Sequence, residues 1–568
     1  MQIISKDYIV LYMKSYKRAL SIRISGKQRK DRVLNLQYEL AHFRNLIIIF
    51  NQIYYKNYGY IILNESYLFN LLSDKPYRPR DTKDENGNIK KSKEEKLKEY
   101  NCILQNIEKN QELKNFIVKL KQQKDKTKNN YAVQSIIRQY IGNYNSYFKS
   151  LKEYNKNPSK FRGKPRPPKV KKLKDIISFT IELDTRSFEI VNNKYLLVKL
   201  TFDNKNSKYI KVKLPDYIDK QKIKSIRIKT IGSDAYIDVI YTKEIKIPEI
   251  EKQYIAGIDL GLNNLLTIFS NNPDLKTLII SGKETKSFNQ WFNKEKSKIQ
   301  SEIDLLQNQI NKLSKDYLNI DNLRLQIKTL INKQKQLSAF RERYLNNIFH
   351  QITRKIADYL YETGHKKVIL GNGATNSKDG IDLGNKTNQH FVSIPFRKII
   401  DMLKYKLEEY GIETEETSEE FTSKTSPFAN LNKVLEIGEE YLKVKRELNN
   451  TNLLEEELNQ LKEKEKELKE RLNTLYNGKR VKRGLFKDFI TNKIFNADAV
   501  GSYNILRKVA MPLINDTKLL IDKLSRPIKL KIKDLLQVSR EFVVEMLQIT
   551  GSRQNRVLCK IVEGYNFL

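Results

Sequence analysis

The stretch YIAGIDLGLNNLLTIFS (residues 254–270) carries the most informative pattern in the chain. Its two apolar runs, separated by a glycine and two asparagines, predict a β-hairpin in which both strands are largely buried. Asp259 lies near the end of the first predicted strand. A carboxylate at that place is poorly solvated and needs a partner cation, and nearby glycines let a ligand approach the backbone. Taken alone, such an aspartate is as often a turn former as a metal ligand.

The sequence after this hairpin predicts helices and then two further core strands. Isoleucine and leucine recur at helical spacing from residue 299, and the pattern to about residue 362 predicts an antiparallel helix pair packed on a sheet. KKVIL (366–370) and GIETEET (411–417) are the next predicted strands.

The sequence before the hairpin has a different character. Residues 29–70 and about 93–155 have helical periodicity, whereas 156–174 are rich in proline and basic residues. From 175 to 250 the apolar period changes to two, which predicts short strands of a sheet or small barrel. The chain therefore combines a helical region, a β-rich region and a mixed α/β region.

Two more segments with acidic residues lie near predicted core elements. Asp498, in NADAVGSYNILRKV, stands at the start of a predicted helix, where an N-cap is the ordinary interpretation. Glu419 and Glu420, in SEEFTSKTS (418–426), follow a predicted strand and alone would be surface acids. Together with Asp259 they form a more specific set. Three such carboxylates can hold two Mg²⁺ ions about 4 Å apart for phosphodiester hydrolysis.

The composition points to a polyanionic partner. The 568 residues include 106 Lys and Arg against 67 Asp and Glu, a net charge of +39. A low-GC genome would explain lysine over arginine but not lysine over glutamate, so nucleic acid is the favoured partner. Apolar runs such as residues 46–50 are too short to span a bilayer, and residues 1–8 do not resemble a signal peptide.

Two basic clusters are candidates for contacts with nucleic-acid phosphates. The alternative for the first is a solvated linker. The candidate residues are Lys160, Arg162, Lys164, Arg166, Lys169, Lys171 and Lys172 in the first cluster, and Lys479, Arg480, Lys482 and Arg483 in the second.

Four stretches resemble the TnpB family of transposon-encoded proteins, relatives of the type V CRISPR effectors. Residues 257–268 and 496–508 resemble the first and third RuvC motifs of that family. Residues 388–424 resemble the segment between those motifs, and 143–169 resemble the family's junction of helical and wedge domains. The order matches over roughly residues 130–510, which is more specific than any single motif.

The chain departs from the usual family pattern at the second acid. Gly371 stands where most members have a glutamate, whereas a subset of the family places the acid shortly before a Thr-Ser pair. The resemblance therefore implies Glu419, three residues before Thr422, with Glu420 as the alternative. If residues 411–421 form one strand, the two glutamates face opposite sides and only one can reach the metals.

Two further departures concern the segment between the second and third acids. The cysteines of the usual zinc ribbon are missing after Ser423, and Cys102 and Cys559 have no CxxC neighbour, so we expect no zinc. Leucines at seven-residue spacing within 440–476 predict a helical arm or short coiled coil instead, without a catalytic role. Val500 replaces the usual asparagine.

The resemblance implies an RNA-guided DNA endonuclease. Its catalytic residues and ligands of two Mg²⁺ ions would be Asp259, Glu419 and Asp498, and its partners a guide RNA and target DNA. The expected location is the prokaryotic cytoplasm, near the nucleoid and not in a membrane. A compact type V effector or an intermediate form is an alternative. A nuclease-inactive RNA-guided repressor also stays open because of Gly371, and a DNA-joining transposase is a weaker third.

The predicted fold is α/β with additional α and β domains: an RNase H-like RuvC domain with helical insertions, a β-barrel-like wedge domain and a helical recognition domain. The predicted boundaries are 1–28 for the first part of the wedge domain, 29–155 for the recognition domain, 156–250 for the second part of the wedge domain with its basic linker, 251–423 for the RuvC domain with a helical insertion at 288–362, 424–490 for a helical insertion replacing the zinc ribbon, 491–511 for the third RuvC motif, and 512–568 for a helical tail.

Overall fold

A computed structural model describes most of the chain and divides it into two compact units. The described residues are 13–73, 75–84, 89–158, 161, 163–171, 179–201, 209–247, 253–312, 317–373, 394–448, 455–482, 484–510 and 514–537. The N-terminal unit comprises Ser15–Glu244 and Asp316–Ala339. The C-terminal unit comprises Ile245–Lys315 and Phe340–Leu568, together with Met1–Lys14.

Strands occur in both units. Within the described residues they are β1 (Met13–Arg23), β2 (Thr82–Lys83), β3 (Ile89–Lys91), β4 (Ile181–Asp184), β5 (Phe188–Val191), β6 (Tyr195–Lys199), β7 (Tyr209–Lys213), β8 (Ile223–Ile231), β9 (Asp234–Lys246), β10 (Tyr254–Leu260), β11 (Asn264–Ser270), β12 (Leu278–Ser281), β13 (His365–Gly371), β14 (Glu413–Thr417), β15 (Gly478–Lys482), β16 (Leu485–Asp488), β17 (Ile494–Asn496) and β18 (Ile528–Leu530).

The helices, like the strands, occur in both units. Within the described residues they are α1 (Lys27–Tyr58), α2 (Glu65–Asn70), α3 (Lys93–Glu108), α4 (Gln111–Thr127), α5 (Asn130–Lys156), α6 (Lys283–Lys312), α7 (Tyr317–Glu362), α8 (Phe396–Glu408), α9 (Leu431–Glu447), α10 (Glu455–Leu475), α11 (Ala497–Arg507), α12 (Thr517–Ser525) and α13 (Ile532–Gln537). None of the helices in these ranges combines the length and apolar character needed to cross a bilayer.

The N-terminal unit joins long helices to two small sheets and the two-stranded ribbon β2-β3. One sheet has the order β1-β9-β8-β4 and the other the order β5-β6-β7. The helical pattern predicted over 29–70 is interrupted, because α1 ends at Gly59 in the left-handed conformation (φ 77°). α2 then begins after Asn64, whose side chain accepts hydrogen bonds from the backbone N–H groups of Ser66 and Tyr67.

A six-stranded sheet forms the centre of the C-terminal unit, in the order β14-β13-β10-β11-β12-β18. β10, β11 and β12 pair antiparallel, and β13 pairs parallel to β10 and to β14. Val368 and Leu370 of β13 pack into one apolar cluster, whereas Ile369 between them packs into another on the opposite face. Because both faces are covered, the central strands read as unbroken apolar runs in the sequence. The α/β class predicted for this region is confirmed.

Helix α11 lies close against the central strand β10. A Cβ atom placed on Gly257 of β10 would approach the Cβ of Leu506 to 2.9 Å and would also meet the carbonyl oxygen of Ser502. The glycine therefore lets the helix approach the sheet backbone directly. This contact brings the first turn of α11 near the end of β10.

Two predicted boundaries need correction. Residues 424–490 are not wholly helical, because β15 and β16 lie within them and pair with β17 in a small sheet. The tail after residue 512 is not wholly helical either, because β18 pairs parallel to β12 at the edge of the central sheet. A strand of three residues has no periodicity to detect, and its hydrogen bonds come from a partner far away in sequence. Residues 538–568 lie outside the described part. The names wedge and recognition domain stay predictions.

Candidate functional site

Asp259 lies in β10 opposite Thr267 of β11, and its side chain is half-buried. Burial raises its pKa well above the ordinary value, and the negative charges of Glu419 and Asp498 raise the pKa further. The positive charge of Arg480 acts in the opposite direction. The structure thus brings together the three carboxylates that the sequence suggested, although they are up to 239 positions apart in the chain.

Asp498 is the second residue of α11 and not its N-cap. Asn496 takes that role, since its side-chain oxygen accepts hydrogen bonds of 3.1 Å from the N–H groups of Asp498 and Ala499. Asp498 accepts a hydrogen bond of 2.5 Å from Nδ2 of Asn264, and its other oxygen lies 3.6 Å from a guanidinium nitrogen of Arg480. The N-cap interpretation of this aspartate is therefore wrong, and its carboxylate is available to the site.

Glu419 lies in a turn rather than in a continued strand. β14 ends at Thr417, and the side-chain nitrogen of Lys508 donates hydrogen bonds of 2.8 Å to the carbonyl oxygens of Ser418 and Glu420. Thr422 donates to the carbonyl oxygen of Glu419 from its backbone N–H (3.2 Å) and its hydroxyl (2.7 Å). These bonds occupy carbonyl groups that a strand would use. The strand predicted at 411–417 is present as β14, but the condition that it continues to residue 421 is not met.

The side chain of Glu419 occupies the space next to Gly371 and Gly373. A Cβ atom on Gly371 would lie 2.5 Å from Oε1 of Glu419, and one on Gly373 would lie 2.7 Å from its Cδ. The carboxylate therefore rests at the end of β13, where the side chain of residue 371 would otherwise begin. Glu420, by contrast, is exposed.

Several residues of this site were not singled out from the sequence. Gly501 packs on Asp259, because a Cβ there would lie 2.7 Å from the Oδ2 atom of the aspartate. Asn264 bridges two groups, since its Oδ1 accepts a hydrogen bond of 2.7 Å from Lys529 while its Nδ2 donates to Asp498. A polar residue opening an otherwise apolar strand was the available signal for Asn264. No local signal marks Lys508.

The donor set suits a hard divalent cation. All three candidate ligands supply carboxylate oxygens. Burial, and after it the charges of Glu419 and Asp498, raises the pKa of Asp259, and a bound cation would counteract this. Among the described residues, no three His, Cys, Asp or Glu side chains enclose a point where an ion could sit. Mg²⁺ is commonly bound through only one or two protein carboxylates and keeps several waters. The residues present therefore fit Mg²⁺ in ligand chemistry, without a ready-made three-ligand cage.

The basic candidates fall into two groups. Lys164, Arg166, Lys169 and Lys171 are exposed in the N-terminal unit, and Lys479, Arg480 and Lys482 are exposed along β15 in the C-terminal unit. Arg480 is the member that the structure brings to the carboxylates. Lys160, Arg162, Lys172 and Arg483 lie outside the described residues. Nucleic-acid binding by all of these residues stays a prediction.

The fold and its acidic site describe an α/β protein with carboxylates gathered beside a central strand. Residues 238–377 match the family model OrfB_IS605, a probable transposase. This confirms the resemblance to the TnpB family that the motifs suggested. The matched segment contains β10 and Asp259, whereas Glu419 and Asp498 lie beyond it. No curated protein matches the chain.

Solved structures similar to this chain include CRISPR effectors, at low identity. The Cas12f1 chain of a cryo-EM complex with sgRNA and target DNA is 17% identical, with a TM-score of 0.37, over 71% of this chain and 76% of that one. A Cas12f ternary complex gives 17% identity and a TM-score of 0.27, over 84% of this chain and 82% of that one. A Cas12i1 R-loop complex after target DNA cleavage gives 10% and 0.28, over 85% and 69%.

Proposed function

We propose that this chain is an RNA-guided DNA endonuclease that hydrolyses phosphodiester bonds at a RuvC-like site containing Asp259, Glu419 and Asp498. The observation that carries the proposal is the position of Glu419, whose carboxylate lies over Gly371 and next to Asp259. The usual glutamate of the family is missing at position 371, but a carboxylate is still supplied at that place in space. This supports an active nuclease over an RNA-guided repressor.

The residues of the site have distinct roles in this proposal. Asp259, Glu419 and Asp498 would hold two Mg²⁺ ions, which when bound supply an activated water and a Lewis acid for the leaving oxygen. Asn264 fixes the orientation of Asp498 through its 2.5 Å hydrogen bond. Arg480, 45% exposed, offers a planar guanidinium that can bind a phosphate of the incoming strand.

The proposed partners follow from charge and from the family match. A net charge of +39 favours a polyanionic partner, and exposed basic residues are present in both units. The match of residues 238–377 to a transposase family supports DNA as the substrate. Recognition of the target by base pairing with a bound RNA is the expectation for relatives of this kind.

Substitution of the acids tests the proposal. The protein is purified with its own RNA, whose sequence defines a matching target plasmid. Asp259→Asn, Asp498→Asn and Glu419→Gln should each reduce Mg²⁺-dependent cleavage by at least about a hundredfold, since each removes a charged metal ligand and preserves shape. Glu420→Gln is the matched control and should cut at nearly the normal rate, because this side chain is exposed.

Plasmid binding in EDTA should be unchanged in all four variants. Near-normal cutting by Asp259→Asn or Asp498→Asn would refute the metal site. If Glu420→Gln is inactive while Glu419→Gln cuts, the wrong one of the two glutamates has been assigned to the site.

A further inference from the structure

The turn that carries Glu419, residues 418–426, is held from one side by α11. Besides the Lys508 bonds, Asn504 donates hydrogen bonds from Nδ2 to the carbonyl oxygens of Thr422 (2.9 Å) and Thr425 (2.8 Å). Asn504 is fully buried, so these bonds are shielded from competing water. The backbone following Glu419 is therefore anchored to the same helix that carries Asp498.

An aromatic side chain packs the turn against α9, and the backbone N–H of Ser426 also donates a hydrogen bond of 2.8 Å to the carbonyl oxygen of Tyr476, just after α10. Phe421 has a backbone φ of 66°, a left-handed conformation that is unusual for a bulky residue. Its ring lies against Gly438 in the middle of α9. A Cβ atom at position 438 would approach Cζ of the ring to 2.7 Å and Cδ2 to 2.8 Å, with Cε2 closer still. The glycine thus forms a notch in α9 that the ring fills.

The notch belongs to a small apolar core between α9 and α10. The two helices form an antiparallel hairpin with an ion pair of 2.9 Å between Lys464 and Glu440. The buried residues of this core are Val434, Leu472 and Tyr476, with Phe421, Ile437, Tyr441 and Leu475 packed around them. Phe421 is the member of this core that comes from the Glu419 turn.

We propose that Phe421 and Gly438 form a latch through which the α9–α10 hairpin positions the carboxylate of Glu419. Phe421 is two residues from Glu419, and a left-handed backbone between fixed neighbours persists only where packing enforces it. The hairpin is then a positioning element of the active site and not only a solvated arm. This inference rests on the proposed function, and Phe421 acts through Glu419 without touching substrate.

Gly438→Ala tests the latch because the change should favour the helix but should disturb the packing of Phe421. Alanine is a better helix former than glycine, so a glycine without a packing role should tolerate the change or gain stability. A latch predicts that the added methyl displaces the ring and with it Glu419. We expect cleavage of the RNA-matched plasmid to fall roughly tenfold to a hundredfold, as for residues that orient metal ligands. The Mg²⁺ concentration for half-maximal rate should rise, with plasmid binding in EDTA unchanged.

Two further variants distinguish positioning from general damage. Gly438→Ala combined with Phe421→Leu removes the ring atoms that meet the methyl, and should recover much of the lost cleavage. Phe421→Gly relaxes the left-handed backbone but removes the ring, and should be as defective as Gly438→Ala. Glu436→Ala, at an exposed position of α9, is the matched control and should cut normally.

The outcomes separate this inference from the proposed function. Normal cleavage and normal Mg²⁺ dependence of both Gly438→Ala and Phe421→Gly, with Glu419→Gln inactive, would overturn the latch alone. Normal cleavage by Glu419→Gln would overturn the assignment of Glu419 and the latch with it. If the Gly438→Ala protein unfolds at a lower temperature than the unmodified protein, Phe421→Gly serves as the test instead. This variant leaves the sequence of α9 unchanged, and its Mg²⁺ titration shows whether the latch positions Glu419.

Discussion

At the scale of single residues, the space at the end of β13 is filled by the carboxylate of Glu419. Glycine at position 371 leaves this space open, because it has no side chain of its own. Gly371→Ala would place a methyl 2.5 Å from Oε1 of Glu419 and 2.8 Å from Cδ1 of Ile505. Glu419 must then move, and displacement of a metal ligand by about 1 Å can reduce rates on the order of a hundredfold. We expect such a loss of plasmid cleavage with unchanged RNA content. Gly142→Ala, where a Cβ meets nothing within 4 Å, is the control.

The same geometry predicts a rescue. Gly371→Glu together with Glu419→Gly supplies the acid from the strand instead of the turn, and should cut faster than Glu419→Gly alone. Glutamine at 419 would not serve, because its side chain would still fill the space over position 371. A Gly371→Ala protein that cuts as fast as Gly142→Ala would show that the site tolerates movement of Glu419.

At the scale of elements, a buried histidine joins β13 to its neighbours. His365 places Nε2 2.7 Å from the hydroxyl of Ser270 in β11 and Nδ1 3.1 Å from the carbonyl oxygen of Leu360 in α7. Burial lowers its pKa to about 4, against an ordinary value of 6.5, and the charge of Lys523 adds to the effect. Between pH 4 and pH 6.5, His365 is therefore protonated in the unfolded chain but not in the folded protein.

The free energy of unfolding should therefore decrease as the pH falls from 6.5 to 4, by up to about 3 kcal/mol from this group. Above pH 6.5 the contribution is fully present. His365→Gln should be less stable at pH 7 but should lose less stability on acidification, as measured by urea unfolding at several pH values. Between pH 7 and 8 the difference between the two proteins should stay constant. Parallel pH profiles down to pH 4 would contradict the assignment.

At the scale of the whole molecule, the positive charge is expected to govern RNA binding. Each phosphate contact steepens the slope of log affinity against log salt by roughly 0.7 to 0.9. Replacing Lys164, Arg166, Lys169 and Lys171 by alanine should flatten that slope by up to about 3, if all four contact phosphates. Replacing Lys462, Lys464, Lys466 and Lys469 of α10 changes the net charge equally and should leave the slope nearly unchanged, because glutamates alternate with these lysines. Equal slopes for both variants would mean that the first group is only a linker.

The local sequence was sufficient for much of the central sheet. The apolar runs of β10, β11 and β13 report burial on both faces, and the heptad leucines report the α10 helix, because periodicity depends only on neighbours along the chain. Asp259 and Asp498 were proposed as site residues from short motifs, and their role stays a prediction. Glu419 was preferred by its distance from Thr422, but the strand invoked to separate it from Glu420 ends at Thr417.

Only the tertiary structure decided which groups meet. Arg480 lies beside Asp498, Asn264 donates to the same carboxylate, and Phe421 fills a notch at Gly438. The short strand β18 likewise depends on β12 for its hydrogen bonds. Periodicity along a chain tells which face of an element is buried, but the order of the strands and the close approach at glycines determine what that face contacts.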